Sequence, residues 1–400
     1  MKTALKSVDA IPGNLGLPIV GNLVDTLRHR ELFYWQRYWQ HGKIFKLAVL
    51  THKYVLLTGP EANRLVLGEA NKLSARLGWK YLKPILSDDM ILLQDGAEHR
   101  TSRRLILPVF HHQAISSYCE TMQSLVKSAV ADWGKQGTIN LNDELRKLTL
   151  TVAVRIFLGS EKIEDIEQVR DWFTTLMEKT RFSIVKWDMP FTSYGQGQMA
   201  RRKIVEYVRK IIQERRERSD RDDAQDVLGL LLHTVDEDGQ RFTEMQVINQ
   251  AIGFLFAAHE TTASLMSWVL FELGNRPEWR EKLRNEYRGV VGDGAVEISH
   301  LRQLLQMTYV LKEGERLYPP LVFIIRGVLE DIEFSGYRIP AGWNVMVAPI
   351  FSHRLPEIYV EPDLFDPDRF APPRAEDSKH PYALIGFGGG VHSCIGIEFA

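Results

Sequence analysis

The stretch Phe387-Gly388-Gly389-Gly390-Val391-His392-Ser393-Cys394-Ile395-Gly396 wraps one cysteine in glycines, which permit a tight loop and close backbone approach. Loop N–H groups and a helix starting just afterwards favour thiolate over thiol, the form a metal ligand requires. Cys394 has no second Cys or His at metal-ligand spacing. A four-ligand zinc site is therefore disfavoured, and a single axial thiolate to a haem iron suits the loop better. Read alone, Cys394 fits a small buried hydrophobe better, the usual fate of a free Cys. A second polar cluster is His259-Glu260-Thr261-Thr262. Its His-Glu pair would suit a zinc-protease helix only with a second His four residues on, where the chain has Ala263.

These groups need elements to hold them. Thr243 and Gln246 make a T-x-x-Q capping box, and Gly274 with Pro277 supplies a stop, so a helix of about 30 residues is expected between them, roughly 45 Å long. Ala251 to Ala258 is apolar on every side, which buries the middle of that helix and makes a polar cluster there costly unless it is bonded or serves chemistry. Ala257, Ala258 and Thr261 share one face of small side chains, open to something flat.

Elsewhere, Ile11-Pro12-Gly13 to Gly21 reads as a rigid non-helical entry, and Leu32 to His41 as a helix. Lys43 to Leu50 and Lys53 to Thr58 read as a hairpin, and helical spacing dominates from about Glu61 to Arg316. Strand-like runs return from Leu321 to Pro349, with turns at Ser335-Gly336 and Pro340-Ala341-Gly342. The mixed-charge run Glu214 to Asp226 is expected to be a solvated helix end and loop. The fold class is mainly α with small β-sheets, an α+β arrangement without internal repeats.

The 400 residues suit two or three domains or one larger undivided fold. With 44% hydrophobic and 25% charged residues, disorder, collagen and coiled coil are excluded. A net charge of -1 argues against a polyanion-binding field, so nucleic acid is not an expected partner. Two cysteines, Cys119 and Cys394, are too few for a disulfide scaffold and suit a reducing compartment. Met1 to Ala10 lacks a signal-peptide core, and no run approaches the roughly 18 apolar residues of a membrane span. A soluble, cytoplasmic protein without a transmembrane anchor is expected.

F-x-x-G-x-x-x-C-x-G over Phe387 to Gly396 resembles the haem-binding signature of the cytochrome P-450 monooxygenases. Ala257-Ala258-His259-Glu260-Thr261-Thr262 is similar to the family's oxygen-activating helix motif, Glu313-Gly314-Glu315-Arg316 to its E-x-x-R, and Pro367-Asp368-Arg369-Phe370 to its P-x-R-F. His99-Arg100-Thr101-Ser102-Arg103-Arg104 resembles its H-x-x-x-R helix, so the likeness runs from about residue 11 to the last residue.

The resemblance implies one domain over residues 1–400, with haem b between the long central helix and the Cys-loop helix and Cys394 as axial ligand. Phe387, Ala257 and Ala258 would adjoin the haem; His99, Arg103, Arg326 and His392 would contact its propionates. Glu260 and Thr261 would deliver protons to dioxygen, whose O–O cleavage thiolate donation favours. Glu313, Arg316 and Arg369 would form a buried scaffold behind the Cys394 loop. Two departures stand out: Ala258 where Gly is usual, and Glu315 at a commonly apolar position, where it is expected to point to solvent.

Pocket candidates are Trp79, Tyr81, Leu86, Trp187, Phe191, Leu321, Val322 and Phe323, compatible with a lipid, retinoid, terpenoid or sterol, and the central H-E-T-T has a weak likeness to the retinoid- and sterol-oxidising branches. Electrons would come from a separate ferredoxin or flavoprotein docked near Arg100 or Arg104. Alternatives are a haem-thiolate peroxygenase or isomerase, or a non-catalytic haem sensor. Family members continue beyond the cysteine through a full helix and a β-hairpin, so a C-terminally clipped chain ending mid-helix at Ala400 is expected.

Overall fold

Alternation decides how the β segments are covered. In β1 (Ile44–Val49) Phe45 and Leu47 are buried, in β2 (His52–Leu57) Leu56 joins their side, and Val55 and Leu57 enter a second core on the other face. The computed structural model describes residues 5–181, 183, 185–218 and 226–400. Two compact units emerge: a first of Met1–Lys80 with Tyr309–Cys394, and a second of Tyr81–Thr308 with Ile395–Ala400.

In the first unit the hairpin joins β3 (Leu73–Ser74), β4 (Ile324–Val328) and β7 (Asn344–Val347) in a sheet of order β1-β2-β7-β4-β3. β2 and β7 run parallel, Tyr54 opposite Asn344; the other pairs are antiparallel. β7 repeats the alternation, Val345 and Val347 entering one core and Met346 the other. β5 (Ile332–Phe334) and β6 (Tyr337–Ile339) form a separate hairpin, turned at Ser335-Gly336 with positive φ at both residues. Two residues long, β3 is too short to register as a strand in a helical stretch, and it pairs through Ser74 opposite Gly327.

The second unit is helical. Its central helix, Glu244–Gly274, is 31 residues long and opens with the expected reciprocal box: the Gln246 amide donates to Thr243 Oγ1, and the Thr243 amide to Gln246 Oε1. Every residue from Val247 to Leu255 is buried. Helix Leu141–Leu158 lies along it, joined by Asn142 to Ser267 and by Thr149 Oγ1 to the His259 carbonyl at 3.2 Å. Helices Ile163–Arg181 and Ser193–Arg218 pack on each other, with Gly197 leaving room for the Thr180 hydroxyl. Asn249 and Gln250 fasten residues 89–91 to the central helix, Asn249 through Asp89 Oδ2 at 2.7 Å.

Of the mixed-charge run, residues 219–225 lie outside the described residues. Its flanks are not simply solvated: Arg215 makes a two-pronged, partly buried pair with Asp226 at 2.8 and 2.7 Å. Among the described residues, no helix is long and apolar enough to cross a membrane.

Candidate active site

Cys394 is exposed and sits after a short 3-10 turn, Gly390–His392. Its amide donates to the Phe387 carbonyl at 2.8 Å, closing the loop on itself. Gly390 has φ +61, and a Cβ there would stand 2.1 Å from the Leu67 carbonyl oxygen, so no other residue fits. The loop's root is held by two side chains. His353 Nε2 accepts from the Ile385 amide at 2.9 Å, and Glu315 Oε1 from the Gly386 amide at 2.8 Å.

Glu315 therefore corrects the expectation that it faces solvent: it is 7% exposed and lies against the loop. Burial lifts its carboxyl to about 7, against the lowering effect of the Gly386 amide and Lys312. Burial, and secondly the Arg316 charge, pushes the enclosed His353 down to about 3, so the imidazole is neutral and its Nε2 lone pair is available.

Behind the loop lies an ion network. Arg316 donates from Nε to Glu313 Oε2 at 2.7 Å and from Nη2 to Oε1 at 2.8 Å, while Arg369 Nε reaches Oε1 at 3.1 Å. All three side chains are fully buried. Glu376 supplies a second carboxylate, to Arg369 Nη1 at 2.8 Å, so two buried cations meet two buried anions. Remaining guanidinium donors satisfy carbonyls of His353, Pro362, Leu364 and Val360. On β4, Arg326 is buried and donates to the Ile325 carbonyl. His392 and Phe387 are half-buried in the loop itself.

In the second unit, Thr261 Oγ1 donates to the Ala257 carbonyl one turn back at 2.6 Å, leaving its lone pairs on the face of Ala257, which is exposed, and Ala258, half-buried. Glu260 leans the other way, to Arg146 of helix Leu141–Leu158, with His259 Nε2 3.7 Å away. Burial holds His259 low, opposed by Glu260. His99, buried, and Arg103, half-buried, share helix Gly96–Ile106. Arg104, expected to be open to a partner, pairs with Asp236 and Asp238 at 3.1 and 3.0 Å; Arg100 is exposed.

The pocket candidates divide. Trp79 and Phe323 belong to the first unit, Trp79 buried and Phe323 tilted 50° against Tyr34 with ring centroids 4.4 Å apart, with Val322 half-buried and Leu321 exposed. In the second unit Leu86 is fully buried, while Tyr81, Trp187 and Phe191 are exposed. A groove of about 760 Å³ along helix His112–Gln136 and residues 295–299 contains none of the expected site residues.

His353, Glu376, Arg146 and Gly386 are functional neighbours that sequence spacing does not single out. Glu376 lies seven residues past Arg369 in a 3-10 turn, a separation with no helical signature. Proximity of Gly386 to the glycine run is the one available hint.

The residues suit a haem held by one thiolate. Among the described residues, no group of three or more His, Cys, Asp and Glu is placed to hold a metal ion. The cysteine side chain is presented outward from a backbone fixed on both sides, and the central helix carries a flat face of small side chains beside a hydroxyl.

The Cytochrome P450 family model matches residues 11–400. The chain is 32% identical over 394 residues to cytochrome P450 136 of Mycobacterium tuberculosis, covering 97% of this chain and 79% of that one. It is 30% identical over 400 residues to cytochrome P450 26B1 of Mus musculus, covering 97% and 77%. Among solved structures, the retinoic acid-bound cyanobacterial CYP120A1 superposes with a TM-score of 0.89 at 30% identity, covering 99% of this chain and 89% of that one. The match spans nearly the whole sequence and includes the cysteine loop, the buried E-x-x-R network and the long central helix, and on that ground the chain belongs to the cytochrome P450 family.

Proposed function

We propose that this monooxygenase inserts one oxygen atom of O2 into a C–H bond of an apolar lipid-like molecule, with retinoids as the leading class and electrons from a separate ferredoxin or flavoprotein. One observation carries the reading: Cys394 is exposed on a loop whose own amide is tied back to Phe387. The retinoic acid in the similar cyanobacterial structure supports the substrate class, as do the apolar side chains among the pocket candidates.

Haem b, when bound, supplies the activation of dioxygen and the C–H oxidation itself. The chain supplies the rest. Cys394 is the thiolate ligand, and His99, Arg103, Arg326 and His392 are the cationic or hydrogen-bonding groups for the propionates. The Thr261 hydroxyl, its own proton anchored on the Ala257 carbonyl, presents lone pairs that accept a hydrogen bond at the small-residue face. Glu260 is its proton source, reached by release from Arg146.

Titrating the haem protein with a panel of retinoids, fatty acids, terpenoids and sterols tests the substrate class by the shift in the haem absorption band. Hydroxylated product formed with O2 and a reductase, for the same compound that shifts the band, is the expected result. Product from peroxide alone, with none from O2 and any electron donor, would instead establish the peroxygenase.

A further inference from the structure

Glu315, buried on helix Leu305–Leu317, spends an oxygen on the Gly386 backbone amide. The site is built around it. A Cβ on Gly386 would stand 2.4 Å from Glu315 Cγ and 2.6 Å from Oε1, so the glycine before Phe387 exists to admit this side chain. Gly386 has no positive φ, and close approach is its only visible reason. From there the path to the ligand is short: the next residue, Phe387, gives its carbonyl to the Cys394 amide at 2.8 Å.

We propose that Glu315 is a positioning residue for the Cys394 ligand, its carboxylate fixing the Gly386–Phe387 backbone from which the cysteine amide hangs. The proposal deepens the haem-thiolate reading and rests on it. A charged acceptor grips an amide about twice as strongly as a neutral one, so ionisation of Glu315 tightens the loop root and protonation slackens it.

Its carboxyl titrates near pH 7, burial raising it and the Gly386 amide, Lys312 and the Phe387 amide opposing, while Asp377 adds to the rise. Every charged or titratable neighbour has its own engagement. Lys312, on the same helix, pairs with Asp377 at 2.8 Å, and Glu313 and Arg316 are locked in the ion network with Arg369 and Glu376. Burial pushes Tyr359 up and His353 down, so neither changes charge near neutrality.

The test uses the haem-loaded chain with Glu315→Gln and Glu315→Leu, followed from about pH 6 to about pH 8.5. One readout is the fraction of the reduced carbon monoxide complex carrying the red-shifted thiolate band; the other is the rate of haem transfer to excess apomyoglobin. In the parent the thiolate fraction should fall as pH drops through about 7. Gln, a neutral acceptor of the same shape, should flatten that profile; Leu should flatten it and speed haem loss about tenfold, the loss of one charge-assisted hydrogen bond. Identical pH profiles for parent and Glu315→Gln would overturn the proposal, and the Gln comparison decides even if the Leu protein does not fold. Cys394→Ala separates the two levels: a parent lacking the thiolate band at every pH overturns the ligand assignment and this proposal together, whereas a thiolate band lost in Cys394→Ala but indifferent to Glu315 overturns this proposal alone.

Discussion

Arg369 Nε donates to Glu313 Oε1 over 3.1 Å, at complete burial and across 56 positions of sequence. Because Arg316 occupies the same carboxylate, Glu313 is the hinge-pin of both arginines. Removing its charge in Glu313→Gln leaves two buried cations facing Glu376 alone and should cost about 3–5 kcal/mol. Thermal unfolding of the haem-free and haem-loaded chain measures it; a loss below 1 kcal/mol would mean that the network is not structural.

Cys394→Ala should abolish the thiolate band of the reduced carbon monoxide complex while leaving the far-ultraviolet circular dichroism unchanged, since the exposed side chain makes no core. Persistence of that band would place the ligand elsewhere.

Glu315 and His353 pull the pH profile of stability in opposite directions. The carboxyl, raised from 4.5 to about 7, binds more protons folded than unfolded, so its stabilising share is complete below about pH 4.5 and lost as pH rises through 7, roughly 3 kcal/mol in all. The imidazole, lowered from 6.5 to about 3, works the other way: its share is complete above about pH 6.5 and by pH 5 is reduced by roughly 2 kcal/mol. Glu315→Gln should therefore raise stability at pH 8 more than at pH 5, and expose a steeper loss on acidification than the parent shows. Denaturant midpoints at the two pH values check the sign.

Thr261→Ala should keep haem and substrate affinity but send more reducing equivalents to peroxide, because only the hydroxyl is removed. Thr261→Ser should restore coupling. Product formed per electron pair is the measurement, and equal coupling in all three proteins would point to another proton route. Arg146→Ala, which releases Glu260, should shift the pH profile of turnover without changing substrate binding.

Charge reversal at Arg100 should slow reduction by an acidic donor at low salt more than reversal at Arg104, whose charge Asp236 and Asp238 already offset. Equal effects at both positions would place docking on another face.

Local signals in the sequence carried far. The T-x-x-Q box and Gly274 delimit the central helix because capping is settled within four residues of chain. The i, i+3 spacing of Glu313 and Arg316 announces their pair for the same reason. What the chain could not announce is long-range: Glu315 looks like a solvent-facing charge until Gly386 is brought to it from 71 positions away, and His353 serves the Ile385 amide from 32. Arg104 illustrates the converse. An arginine-rich helix reads as an open basic face, yet the acids that offset Arg104 lie on a loop over a hundred residues later.

The parallel pairing of β2 with β7 also governs assembly in time. Asn344 Nδ2 bonds the Lys53 carbonyl across 291 positions, so the inner edge of the β1–β2 hairpin waits for its neighbour while that much chain is made. At roughly 5–20 residues per second the delay is about 15–60 s on the ribosome. Through that interval β2 keeps an unpaired backbone edge, and Val55, Leu56 and Leu57 lack the β7 residues of the two cores they enter. The nascent hairpin is accordingly where chaperone dependence and misassembly should concentrate, and the sheet that seats the first unit is among the last parts of the protein to close.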